Sequence, residues 1–249
     1  MNGPTPLEKQ IEAQLSAAGV PGADVEAKEI LAHAANESQA LEWSTQRLQG
    51  VPLAYLTGRQ KFMGYELLAG PGSLVPREET ELLGRMAVTF LREKSNPSLG
   101  LIDMCCGSGN LACALALSLP EARIWAADLT DSCVELARRN ATLHGLDGRL
   151  KVFQGDLFAP LEGKGLDGLM DAVICNPPYI SATKLAGDRA ELLKHEPREA
   201  FDGGPYGISI HQRVIREAIR FLRPGGLLLC EFGLGQERQV KALVDRTQT

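Results

Sequence analysis

The chain of 249 residues has no window approaching about 18 uninterrupted apolar residues, so nothing in it reads as a transmembrane helix. Its start, MNGPTPLEKQIEAQL, has no basic segment followed by an apolar core, the pattern of a secretory leader. A cytoplasmic protein is therefore the expectation. Basic charge is also in short supply: 26 Lys and Arg stand against 31 Asp and Glu, a formal net charge of −5. That argues against a broad phosphate-binding surface and makes nucleic acid an unexpected partner. The six cysteines (Cys105, Cys106, Cys113, Cys133, Cys175, Cys230) include no C-x-x-C pair, and no histidine lies near them in sequence. Buried free thiols are the expectation, and no metal site is. His33, His144, His195 and His211 are scattered, without a partner pattern for nucleophilic or metal catalysis. There is no internal repeat and no low-complexity segment.

What is present is an ordinary globular composition, 44% hydrophobic and 23% charged, in a chain long enough for a sizeable core. Residues 5–49 read as helical, with Leu7, Ile11 and Leu15 at helical spacing and Ala27, Ile30, Leu31 and Ala34 again after the break PGAD. We expect a small helical domain over 1–50. Residues 51–76, VPLAYLTGRQKFMGYELLAGPGSLVP, alternate between glycine-containing breaks and predict a linking β-hairpin. ETELLGRMAVTFLRE then reads as an amphipathic helix opening a main domain over 77–249. From residue 99 apolar strands (99–104, 123–128, 150–155, 170–175, 226–232) alternate with helices (109–119, 131–144, 207–222, 235–245). The fold class expected is α/β, a doubly wound, mostly parallel sheet that binds ligands at the carboxyl ends of its strands.

Those ends are acidic. The first strand runs into Asp103-Met104-Cys105-Cys106-Gly107-Ser108-Gly109-Asn110, the second ends in Asp128, and the third is closed by Asp156 in GDLF. A glycine-rich turn lets a ligand approach backbone, and an acidic residue after the second strand accepts from ribose hydroxyls. The full G-x-G-x-x-G with which dinucleotide enzymes seat a pyrophosphate on the helix amino end is missing. Carboxylates on adjacent strand tips suit a cofactor without phosphate and with a cationic end, S-adenosylmethionine. Taken singly, Asp128 or Asp156 could equally be a helix cap.

The fourth strand runs into VICNPPYISA, residues 173–182. Two prolines make a stiff, non-helical corner, but a mere turn has no need of Asn176 and Tyr179 beside them. Beside a methyl donor, the Asn176 side-chain carbonyl and a proline carbonyl could accept both hydrogens of a planar NH2, with Tyr179 stacked on the group. Such a nitrogen is a poor nucleophile because its lone pair is delocalised. Fixed acceptors let positive charge develop as the methyl arrives, without a general base.

Here the chain resembles the HemK/PrmC family, methyltransferases of the class I Rossmann-like fold that modify the glutamine side-chain amide of peptide-chain release factors. The resemblance spans about residues 20–245 and rests on PLAYLTGRQKF, LVPREETELL, DMCCGSGNLA, GDLF, NPPYI and EPREAFDGGPYG. It implies S-adenosyl-L-methionine as cofactor, with Thr80, Glu81, Asp103, Cys105, Gly107, Gly109, Asp128, Leu129, Asp156, Leu157 and Asn176 around it. It implies Asn176, Pro177 and Tyr179 as catalytic residues, Pro178 and Glu196 as further substrate contacts, and residues 181–205 as a flap. Four departures stand out. Cys105 replaces the first motif glycine, and Tyr206 replaces an aspartate after Gly-Gly. The helical domain is about one helical hairpin short, and the chain stops one helix after LLLCEFG. The fifth strand is therefore expected to form an open edge, buried in a homodimer or covered by further chain. A small-molecule amide, amidine or amino group is the alternative acceptor, and a non-catalytic cofactor-binding subunit the remaining one.

Overall fold

The computed structural model describes residues 3–93 and 98–247, which group into two compact units, Met1–Gln60 and Lys61–Thr249. The unit boundary falls inside the stretch expected to be the linking hairpin.

The first unit is helical. Helix α1 (Pro6–Ala17) starts where Thr5 accepts from the Glu8 amide at 3.1 Å with proline at the first helical position, a strong start signal. It is followed by α2 (Ala23–His33) and α3 (Glu37–Leu48). Asn36 caps α3 by accepting from Gln39 N, while the Gln39 side chain accepts from Ala35 N. Ile11, Leu15, Ala27 and Ile30 are fully buried in this unit's own core, as the helical spacing requires. A bidentate Arg47–Glu26 pair, 2.7 and 3.1 Å, ties α3 to α2. The expectation of strand from residue 51 is corrected here: after Pro52 the chain forms one more short helix, α4 (Leu53–Thr57).

The hairpin that follows is shorter than expected, β1 (Arg59–Phe62) and β2 (Tyr65–Leu68). Met63 and Gly64 between them both have positive φ (52° and 89°), the geometry of a two-residue hairpin turn. Helix α5 (Glu78–Glu93) buries Leu83, Ala87, Val88 and Leu91 along one stripe. Then come β3 (Leu99–Met104), α6 (Asn110–Ser118), β4 (Ala122–Asp128), α7 (Asp131–Leu143), β5 (Leu150–Gln154) and β6 (Met170–Cys175). The chain continues through α8 (Ala182–Ala186), α9 (Ser209–Phe221), β7 (Leu222–Cys230) and α10 (Glu237–Thr247).

The five long strands are all parallel, in the order β5-β4-β3-β6-β7. The central ones are apolar on both faces because helices cover both: β6 is buried at every position. From β3 the chain winds outward through β4 and β5, then returns to β6 on the other side, so the order reverses between β3 and β6. A crevice at the strand tips opens at such a reversal. Strand β7 begins earlier than expected, directly after α9. Met170 pairs with Leu222 and Ala172 with Leu227, so the intervening Arg223-Pro224-Gly225-Gly226 bulges, with Gly225 at φ +75°. Among the described residues no strand pairs with the outer edge of β7, and no helix is long and apolar enough to cross a membrane. All six cysteines are free, four of them buried; burial pushes the Cys113 and Cys230 thiols up to about 12 and Cys133 to about 11.

Candidate active site

At the reversal lies a cleft with about 970 Å³ of empty space, part of it open solvent. Asp103 near the end of β3 with Cys105 and Gly107 just after it, Asp128 ending β4 with Leu129 after it, Asp156 and Leu157 after β5, and Asn176 and Pro178 after β6 line it, with Thr80 from α5. Residues far apart in sequence thus converge because parallel strands present all their carboxyl ends at one edge.

Asp103 is almost wholly buried. Its Oδ2 accepts from the Ala112 amide at 2.9 Å, while Oδ1, equally buried, has no partner in the protein. Desolvation, reinforced by the nearby Asp128, pushes its carboxyl up to about 8 despite the Ala112 hydrogen bond. Asp128 is used differently. Its Oδ2 accepts from Gly107 N at 2.9 Å, and Oδ1 accepts from the Thr130 amide and hydroxyl at 3.1 and 3.3 Å. It braces the glycine turn while bordering the cleft. Asp156 also borders it, in a bidentate pair with Arg213 at 3.0 and 2.9 Å. The described non-glycine residues with positive φ are Met63, Cys105 (57°) and Leu157 (47°), and the last two line the cleft. Backbone strain of this kind collects at ligand sites.

The Asn176-Pro177-Pro178-Tyr179 corner follows β6 directly. Asn176 Nδ2 donates to Thr80 Oγ1 at 2.9 Å, and the Tyr179 hydroxyl donates to Glu231 Oε1 at 3.2 Å. The loop after it packs on the corner's backbone. A Cβ on Gly203 would lie 2.8 Å from Pro178 O, and one on Gly207 2.5 Å from Tyr179 O, so only glycine fits at either position. Gln236 Nε2 clamps both sides, donating to the Tyr179 and Gly207 carbonyls at 3.0 and 3.1 Å. In the segment expected to be a flap, α8 is joined by two 3-10 turns, Ala190–Lys194 and Arg198–Ala200, and Pro197, Glu199 and Ala200 reach the cleft.

Three expected site residues sit elsewhere. Glu81 points to the hairpin, where it accepts from Met63 N at 2.8 Å and pairs with Arg85 at 2.7 Å; one helical step beyond Thr80 it faces away from the cleft. Gly109 is a packing residue: at φ +76°, an added Cβ would lie 2.9 Å from Ala137 Cβ on α7. Glu196, expected at the substrate, is buried, with its carboxylate spent on Val75 N (2.9 Å) and Arg77 (2.6 Å), so it anchors the flap to the segment before α5. Pro177 and Tyr179 stand at the corner without lining the cleft. The sequence reading passed over Glu231 and Gln236. The signal for Glu231 was there: it is a carboxylate at the tip of an apolar strand, like Asp103, Asp128 and Asp156.

The family model for the methyltransferase small domain matches residues 84–206. The release factor glutamine methyltransferase of Moorella thermoacetica is 41% identical over 199 residues, 79% of this chain and 67% of that protein. That of Streptomyces coelicolor is 33% identical over 246 residues, 93% of this chain and 85% of that protein. The chain belongs to the release factor glutamine methyltransferase family. Release factor glutamine methyltransferases are S-adenosyl-L-methionine-dependent enzymes, and the fold agrees: the hMettl16 catalytic domain, 16% identical, superposes with a TM-score of 0.56 over 86% of this chain and 73% of that one. The cleft fits that cofactor on its own chemistry. A buried carboxylate oxygen without a partner suits the ammonium group, and a glycine turn braced by Asp128 leaves room for close approach to backbone.

Proposed function

We propose that the protein transfers a methyl group to the side-chain amide nitrogen of a glutamine in a peptide-chain release factor, in the cytoplasm. The observation that carries this is the setting of Asn176: it stands at the reversal point beside the cleft, with its NH2 already given to Thr80. Its Oδ1 is left as an acceptor, and with the Pro177 carbonyl it can take both hydrogens of a planar amide. S-Adenosylmethionine, when bound, supplies the electrophilic methyl group. Asp103 would hold the cofactor's ammonium, Asp128 and the Gly107 turn its ribose, and Asp156 and Leu157 its adenine side, with Cys105 and Leu129 as walls. Pro178 and Tyr179 would flank the amide plane. Held to fixed acceptors, the amide would carry developing positive charge without reorganisation of solvent. The amide proton would leave only once the nitrogen is alkylated and acidic, so no base of shifted pKa is required.

The test is transfer of a labelled methyl group to a release factor with a Gly-Gly-Gln loop. Label is expected on that glutamine alone and absent when it is replaced by alanine. Label on free amides with none on the release factor would replace this acceptor by a small molecule.

A further inference from the structure

We propose that Glu231, at the tip of β7, is a positioning residue that sets the orientation of the Asn176 amide through Thr80 and pins Tyr179 with its other oxygen. The proposal rests on the reading that Asn176 accepts from the substrate amide. Thr80 Oγ1 lies 2.7 Å from Glu231 Oε2 and 2.9 Å from Asn176 Nδ2. A carboxylate can only accept, so the single Thr80 hydroxyl proton goes to Glu231 and the Thr80 oxygen is left as an acceptor. It can then bind Asn176 only through Nδ2, which turns Oδ1 the other way. Without the carboxylate, the Thr80 hydroxyl is free to donate to Oδ1, and the flipped amide would offer the substrate NH2 a donor in place of an acceptor.

The rest of the structure holds Glu231 where this requires. Its amide donates to Cys175 O at 3.0 Å, one residue before Asn176. Its own carbonyl accepts from His211 Nε2 at 2.8 Å. His211 is fully buried and its pKa is lowered by desolvation, so the ring is a neutral donor at Nε2. The Tyr179 hydroxyl, 3.2 Å from Oε1, satisfies the second oxygen. One side chain thereby fixes both polar ends of the corner, and it does so without lining the cleft.

The test combines two measurements on the full chain. In the first, exchange of the Asn176 side-chain NH2 protons is followed by NMR, with the resonance identified by its loss in Asn176→Ala. One proton is expected to exchange slowly in the wild type and both to exchange fast in Glu231→Met and in Thr80→Val, with slow exchange restored in Thr80→Ser. In the second, Glu231→Met is expected to lower turnover about tenfold to a hundredfold, the scale of misplacing a positioned group, with cofactor affinity unchanged. Added to Asn176→Ala it should cost nothing further. Unchanged exchange in Glu231→Met, or the same loss of turnover in both backgrounds, would overturn the role. Should the wild type fail to methylate a release factor, the acceptor proposed above falls and the exchange measurement still decides the role of Glu231.

Discussion

Cofactor binding should release a proton, and Asp103 is the reason. Desolvation pushes its carboxyl up to about 8, from an ordinary 3.8, so near pH 7 the free protein holds it about nine-tenths protonated. An ammonium placed beside the unpartnered Oδ1 favours the carboxylate and expels that proton. Binding near pH 7 should therefore release about 0.8 proton, the Asp103 proton less the small fraction the ligand's own amine, at about 7.7 to 8.0, takes up, and affinity should rise about tenfold per pH unit well below 7 and level as the two groups titrate. Calorimetry in buffers of different ionisation enthalpy reads the proton count directly. Asp103→Asn should abolish it and flatten the pH profile. A buffer-independent enthalpy in the wild type near neutrality would refute the reasoning, as would equal proton release in the variant. The same shift bears on stability. An acid whose folded pKa lies above its unfolded one binds an extra proton in the native state, so its contribution is present at low pH and is lost as pH rises from about 4 through about 8. The variant's thermal midpoint should depend less on pH across that window.

Asn176→Ala should retain cofactor and lose at least about a hundredfold in turnover, the scale for one preorganised partner; single-turnover kinetics within threefold of wild type would remove the corner from the mechanism. Gly109→Ala should lower stability by about 2 to 5 kcal/mol, from a left-handed φ and overpacking against Ala137, and chemical denaturation showing no loss would contradict the packing role. Cys105→Gly should raise stability by about 1 kcal/mol by relieving a left-handed residue and leave cofactor affinity equal or better; lost binding would give the thiol a role of its own.

Local pattern carried much of this protein. Apolar runs of strand length alternating with helical periodicity specify a parallel sheet, since only strands covered on both faces can be so apolar. The prolines of the corner and the acidic strand tips mark the edge where the cleft lies, because chain direction alone sends every carboxyl end to one edge. Partnership was beyond the sequence's reach. Thr80 and Glu81 are neighbours, yet the turn of α5 sends one to Asn176 and the other to Met63. Gly107 and Gly109 share a motif, yet one borders the cleft and the other makes room for Ala137. Glu196 carries the charge of a ligand and is spent on Val75 and Arg77. Glu231, 52 residues beyond Tyr179, meets the corner only because β7 pairs with β6. A side chain's job depends on which atoms lie within three ångströms of it, and across such distances in sequence only the packed sheet decides that.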